Sequence, residues 1–204
     1  MSATRPLQNR VEPGGALVAN RARGMLLGNR GGKFHRDDRS LGRRRWASSQ
    51  WIACECAFKG RRRDVWGAGY TQVFFLDEVT ALAAGHRPCF ECRRADAKSF
   101  ARAMAADGAP PSAPAMDARL HSERLAPLKP KLNARQIAAL PDGAVIAVDG
   151  IYFALRGKGC LRWSFEGYGP ITARREFARA ELTTPPAIIH ALLAGYSPRW
   201  APAS

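Results

Sequence analysis

Cysteines at 54, 56, 89 and 92 fall within 39 residues of this 204-residue chain, and their spacing favours metal chemistry. Cys89-Phe90-Glu91-Cys92 has the two-residue gap at which a turn brings two sulfurs onto one ion, and Cys54-Glu55-Cys56 could supply a second pair. Four thiolates complete the tetrahedron that zinc prefers, because soft anionic sulfur suits the ion. Arg87, Arg93 and Arg94 flank the second pair, and nearby cations favour thiolate over thiol. A histidine could replace one sulfur, with His86, His35 and His121 as candidates. Two other readings stay open: a redox pair, although no thioredoxin-like βαβ pattern surrounds it, and a set of buried thiols without a ligand. Cys160, in GKGCLRW, stands apart and reads as a buried thiol.

The elements around these cysteines explain how they could meet. SSQWIACECAFKG (48–60) reads as a strand, in which residues two apart share a face, so Cys54 and Cys56 are expected to point the same way. YTQVFFL (70–76) reads as a second strand. With RRRDVWGAG between them, the two are expected to form a hairpin with a basic tip, where Trp66 could meet a partner. In DEVTALAAGH (77–86), Asp77 can cap a short helix and Gly85 can stop it. RRADAKSFARAMA resumes as a helix after Cys92.

Four regions follow: a Gly- and Arg-rich irregular arm (1–45), a zinc-binding module (46–105), a Pro/Ala/Gly linker (106–117), and a small α+β unit (118–204). In the last, helical pieces near 116–128 and 133–140 precede three short strands in 141–169, with turns at Asp149-Gly150 and Gly157–Gly159. Thr184 is expected to cap a final helix that ends at Gly195. The fold class is therefore α+β.

Charge points to the partner. Lys and Arg number 32 against 17 Asp and Glu, a net charge of +15. Residues 1–63 carry +11 of it. Such a basic third suits a polyanion, most simply nucleic acid, through phosphate neutralisation and counterion release. The contact candidates are Arg61, Arg62, Arg63, Trp66, Arg87, Arg93, Arg94, Arg43, Arg44 and Arg45. No apolar run is long enough to span a membrane and the N-terminus lacks a secretory apolar core, so a cytoplasmic protein is expected.

VFFLDEVTALAAGHRPCFECRR (73–94) resembles the zinc-binding N-terminal domain of the Ada family of methylphosphotriester-repair proteins. Phe74, Phe75, Ala84, Gly85, Arg87, Pro88, Cys89, Cys92 and Arg93 stand at the family's places, and His86 replaces its usual aromatic. The resemblance covers about residues 50–95. The family's first cysteine pair is C-x-x-x-C, where this chain has Cys54-Glu55-Cys56. The resemblance implies four cysteines on zinc, DNA as partner, and methyl transfer to the most N-terminal one. By position the acceptor is Cys54 or Cys56, with Cys89 and Cys92 as ligands alone.

Three functions are thus compatible with the sequence. The first is a zinc-containing nucleic-acid-binding protein, with DNA favoured, that acts in repair through a zinc-thiolate methyl acceptor. The second is a structural zinc knuckle in a binding or regulatory protein without catalysis. The third is a nucleic-acid hydrolase built on His35, Asp37, Asp38, His121 and Glu123.

Overall fold

The computed structural model describes residues 5–60, 64–105 and 108–202, and within them lie two six-stranded sheets and five α-helices, an α+β fold. The first sheet gathers β1 (Gln8–Val11), β2 (Leu17–Ala19), β3 (Leu26–Arg30), β4 (Trp51–Glu55), β5 (Val73–Phe75) and β6 (Arg87–Pro88) in the order β2-β1-β5-β3-β4-β6. Pairing is parallel at β1/β5 and β4/β6 and antiparallel elsewhere.

Two expectations are corrected here. The arm is not irregular, since residues 8–30 contribute three strands. The strands at 51–55 and 73–75 also do not pair with each other, because β3 runs between them. Glycine explains both. A Cβ on Gly24 would lie 1.7 Å from the carbonyl oxygen of Phe75, and one on Gly28 would lie 2.2 Å from that of Ile52. Glycines that read as loop formers are thus places where neighbouring backbone approaches too closely for any side chain.

Helix α1 (Glu78–Ala83) is buried along its whole length. Asp77 caps it as expected, Oδ1 accepting from the backbone N–H of Thr80 at 2.9 Å, and Gly85 follows at φ 76°. Its sides feed three clusters. Ala81 joins Val73 and Phe75 of the first sheet. Val79 and Ala83 meet Val145 and Ala154. Leu82 enters a cluster with Phe100, Leu120 and Ile188, drawn from α2 (Arg94–Met104), α3 (Ala113–Arg124) and α5 (Pro186–Leu193). Truncating Leu82 to Ala would cost about 2–5 kcal/mol, the usual range for a fully buried leucine. α3 begins inside the stretch expected as linker, capped by Ser112, whose Oγ accepts from Ala115 N–H.

The second sheet contains β7 (Lys131–Asn133), β8 (Val145–Val148), β9 (Ile151–Arg156), β10 (Gly159–Trp163), β11 (Tyr168–Ala173) and β12 (Arg179–Leu182); α4 (Ala134–Ala139) follows β7. Its order is β11-β10-β9-β8-β12-β7, antiparallel throughout. Asp149 (φ 48°) and Gly150 (φ 78°) make the expected tight turn between β8 and β9. Thr184 does not cap α5: its hydroxyl accepts from Val145 N–H at 2.8 Å, and Pro185 occupies the cap position. The tail then returns to α1, where Tyr196 Oη donates to Glu78 at 2.6 Å and Ala201 N–H donates to Asp77 at 2.9 Å. Among the described residues no helix is long and apolar enough to cross a membrane.

Candidate metal centre

The first sheet positions the sulfurs by register. Leu27 sits opposite both Cys54 and Phe74, and Arg10 opposite Phe74, so one row across the sheet reads Arg10, Phe74, Leu27, Cys54. Parallel pairing of β4 with β6 continues as Cys89 N–H donates to the Ala53 carbonyl at 3.0 Å, which sets Cys89 beside Cys54. The chain then turns, Arg93 N–H donating to the Cys89 carbonyl at 3.0 Å, and brings Cys92 back to the same place.

The result is a group of three ligand atoms, from Cys54, Cys89 and Cys92, all within 4.8 Å of one another, that could hold a metal ion. Tetrahedral zinc, with Zn–S near 2.3 Å, requires sulfurs about 3.8 Å apart, so the set fits with little movement. Two backbone amides favour negative sulfur: Glu91 N–H points at Cys89 Sγ and Glu55 N–H at Cys92 Sγ, each at 3.4 Å. Hydrogen bonding from Cys54 pulls Cys89 down to about 5 and lowers Cys92 as well. The same bonds, to Cys89 first and then Cys92, push Cys54 far up. A divalent ion bound to the trio would balance the negative charge that builds up as these thiols deprotonate.

The other sequence candidates lie elsewhere. Cys56 falls just beyond the end of β4, is exposed, and its Sγ donates to the Met25 carbonyl at 3.4 Å. His86 is in the core, its ring 4.7 Å from Phe75 and 4.8 Å from Trp51, with Nε2 accepting from Arg30 Nε at 3.3 Å. His35 stacks on Trp66 at 5.2 Å, its Nδ1 2.7 Å from Thr71 Oγ1. His121 lies 2.8 Å from an Arg124 nitrogen. Among the described residues, no metal-competent group contains a histidine. Asp37 pairs with Lys33, Asp38 accepts from Ser40, and Glu123 pairs with Arg119.

The basic candidates divide. Arg87 is buried in a two-pronged pair with Asp117, both contacts 2.8 Å. Arg93 is buried against Glu78 and Asp96 at 2.7 Å each, with Glu55 at 3.6 Å. Neither faces a partner, because each guanidinium answers carboxylates that burial would otherwise leave unpaired. Arg43, Arg44 and Arg94 are exposed, and Arg45 is half-buried, donating to the Gly42 carbonyl. Arg61, Arg62 and Arg63 lie outside the described residues. Trp66 is not an exposed tip: it is buried in a left-handed conformation (φ 59°), its N–H and Nε1–H both donating to Gln72 at 2.9 Å.

That latch closes the loop 64–70 over the sheet and forms a cleft of about 370 Å³ beside the sulfurs. Its walls include Cys54, Cys89, Leu27, Ile52, Asn29, Gln72 and the loop from Asp64 to Tyr70. Asn29 and Gln72 were not legible as site residues, since the strand that carries Asn29 was itself hidden among glycines.

Also missed was a cation pair on the side chain of Trp51. Arg30, fully buried, lies 3.9 Å from the Trp51 ring and Arg124 lies 4.0 Å from it. Burial first, and each other's charge for Arg30, lower both guanidinium groups to about 9. Carbonyls of Gly15 and Arg45 accept from Arg30, and those of Gly85 and Ser49 from Arg124. These contacts tie β3, β4 and α3 together beneath the site.

Comparison of the chain with protein-family models, curated proteins and solved structures finds no match.

Proposed function

We propose that this is a zinc-binding protein that binds nucleic acid, with DNA the favoured partner, and whose metal centre is formed by Cys54, Cys89 and Cys92. The convergence of three sulfurs within 4.8 Å at the edge of an open cleft carries the reading. Three protein ligands beside a cleft leave room for a fourth from outside, the arrangement by which reactive metal sites differ from closed structural ones. The net charge of +15, with Arg21, Arg23, Arg36, Arg43 and Arg44 exposed, supports a polyanionic partner.

Bound zinc would keep the sulfurs as thiolates at neutral pH. In the repair reading the acceptor is Cys54, because it belongs to the trio and lines the cleft whereas Cys56 does neither. Its sulfur attacks the methyl carbon of a phosphotriester, the carbon–oxygen bond breaks, and the electron pair leaves with the phosphate oxygen as a diester. The backbone N–H groups of Glu91 and Glu55 hold Cys89 and Cys92 in place meanwhile, and a bound ion would add to that hold.

A second reading, a structural knuckle without catalysis, draws support from the 3% exposure of Cys54. One experiment separates them. Zinc per chain is measured for the native protein and for C54S, C56S, C89S and C92S, and the native protein is then incubated with methylphosphotriester DNA. Loss of zinc in C54S, C89S and C92S with retention in C56S is expected, followed by one added methyl on the peptide containing Cys54. Zinc without methyl uptake would select the structural knuckle. A native protein that binds no zinc would end both.

A further inference from the structure

The antiparallel register of β3 with β5 pairs Leu26 with Phe75, Leu27 with Phe74 and Gly28 with Val73. Continued one step past the last printed pair, that register would set Asn29 near Gln72, and both line the same cleft. Opposed residues in such a ladder have Cβ atoms about 4.5–5.5 Å apart. Asn29 and Gln72 share the face of Leu27 and Cys54, two residues along, so roughly 7 Å separates the amide pair from the cysteine row.

Both residues are 8% exposed and both line the cleft. Their orientation is dictated by what they bind. Asn29 Oδ1 accepts from Gly31 N–H at 3.0 Å, and Gln72 Oε1 accepts from Trp66 N–H at 2.9 Å. A backbone N–H can be answered by the amide oxygen alone, so in each case the NH₂ group is the end left for the cleft. Neither NH₂ has an acceptor among the described residues. Two fixed donors opening on one cleft present a ligand with a place for two acceptor atoms. Tyr70, on the loop lining the same cleft, is 51% exposed and is the aromatic side chain there on which a base could stack.

We propose that this cleft is a nucleobase pocket that receives an unpaired thymine or uracil, its two carbonyl oxygens taken by the NH₂ groups of Asn29 and Gln72 and its ring stacked on Tyr70. The inference rests on the nucleic-acid reading above and adds the base it selects. A dioxopyrimidine presents two acceptors on one ring, whereas adenine presents an amino donor where these amides also donate. Splayed bases held by stacking and edge contacts are the usual form of single-strand recognition. A cleft of about 370 Å³ has room for one base.

The test compares oligo(dT) with oligo(dA) of equal length on zinc-loaded full-length protein, by fluorescence anisotropy at one fixed salt concentration. The native protein is expected to prefer dT by about tenfold, the low end for a well-matched pair of base contacts. N29D with Q72E keeps both oxygens that hold Gly31 and Trp66 but removes both donors. Its added charge lowers affinity for both oligonucleotides, while the dT-to-dA ratio falls to about one and bound zinc is unchanged. Y70L, altering a half-exposed ring, lowers the ratio several-fold and serves should the double variant fail to fold. Equal affinities in the native protein overturn the pocket and leave nucleic-acid binding standing, as does a ratio unchanged in N29D/Q72E. Displacement of dT by inorganic phosphate but not by thymidine also overturns it, assigning the donors to phosphoryl oxygens. Failure of both oligonucleotides to bind overturns the nucleic-acid reading and this inference together.

Discussion

The two six-stranded sheets of this molecule are assembled by opposite means. The second is mostly a run of strands joined by short turns, each hairpin closing on its sequence neighbour from β8 to β11. The first is collected from residues 8 to 88, with neighbours brought together across long separations and two parallel pairings. It is the non-local sheet that carries the sulfurs, the paired amides and the cleft. Ligand groups that must converge from different segments need long-range pairing, whereas a meander places sequence neighbours together and little else.

If that contrast is right, disturbance at the first sheet should spread further than disturbance at the second. Metal removal is expected to have the largest effect. Chelation of the zinc-loaded protein should lower its unfolding midpoint in urea more than any substitution below, because metal binding contributes directly to folding free energy. An unmoved midpoint would show that the trio is not a cohesive element. Next is R93A, which leaves Glu78 buried without its guanidinium. A loss of about 3–5 kcal/mol is expected from urea unfolding. R87A should behave alike through Asp117.

A smaller effect is tied to pH. Burial first, then Arg30 and Arg124, holds His86 well below its ordinary range, so the folded chain cannot take a proton that the unfolded chain accepts. Stability is therefore complete above the ordinary histidine pKa and is lost as pH falls below it, by up to about 1.4 kcal/mol per pH unit for this group. H86Q, which keeps an acceptor for Arg30, should flatten that slope. The second sheet has no histidine and should add nothing to it. The smallest change is G150V, at φ 78°, where about 1 kcal/mol is expected with no change in bound zinc. Zinc loss in G150V would mean that the two sheets do not respond separately.

What was legible in the sequence follows the same division. The capped helix after Asp77, the stop at Gly85, the turn at Asp149-Gly150 and the Cys89–Cys92 turn are local signals, and each stands where it was expected. Strands β1 to β3 were obscured because Gly24 and Gly28 are demanded by backbone on other strands, which no local pattern encodes. Trp66 read as an exposed contact, since nothing nearby reveals that His35 and Gln72 would receive it. The cysteine at 56 shared a strand pattern with Cys54, but β4 ends between them.

The tail contacts on α1 have a consequence in time. Asp77 and Glu78 receive Tyr196, Arg199 and Ala201, the last described stretch of the chain. A ribosome delivers the cysteine segment more than a hundred residues before that stretch. Through synthesis, then, two buried acids beside the Cys92 turn wait without their final partners. Closure of α1 against its surroundings waits for Tyr196, Arg199 and Ala201 to emerge, and a nascent chain stalled short of Tyr196 holds its cysteines on an unfinished support.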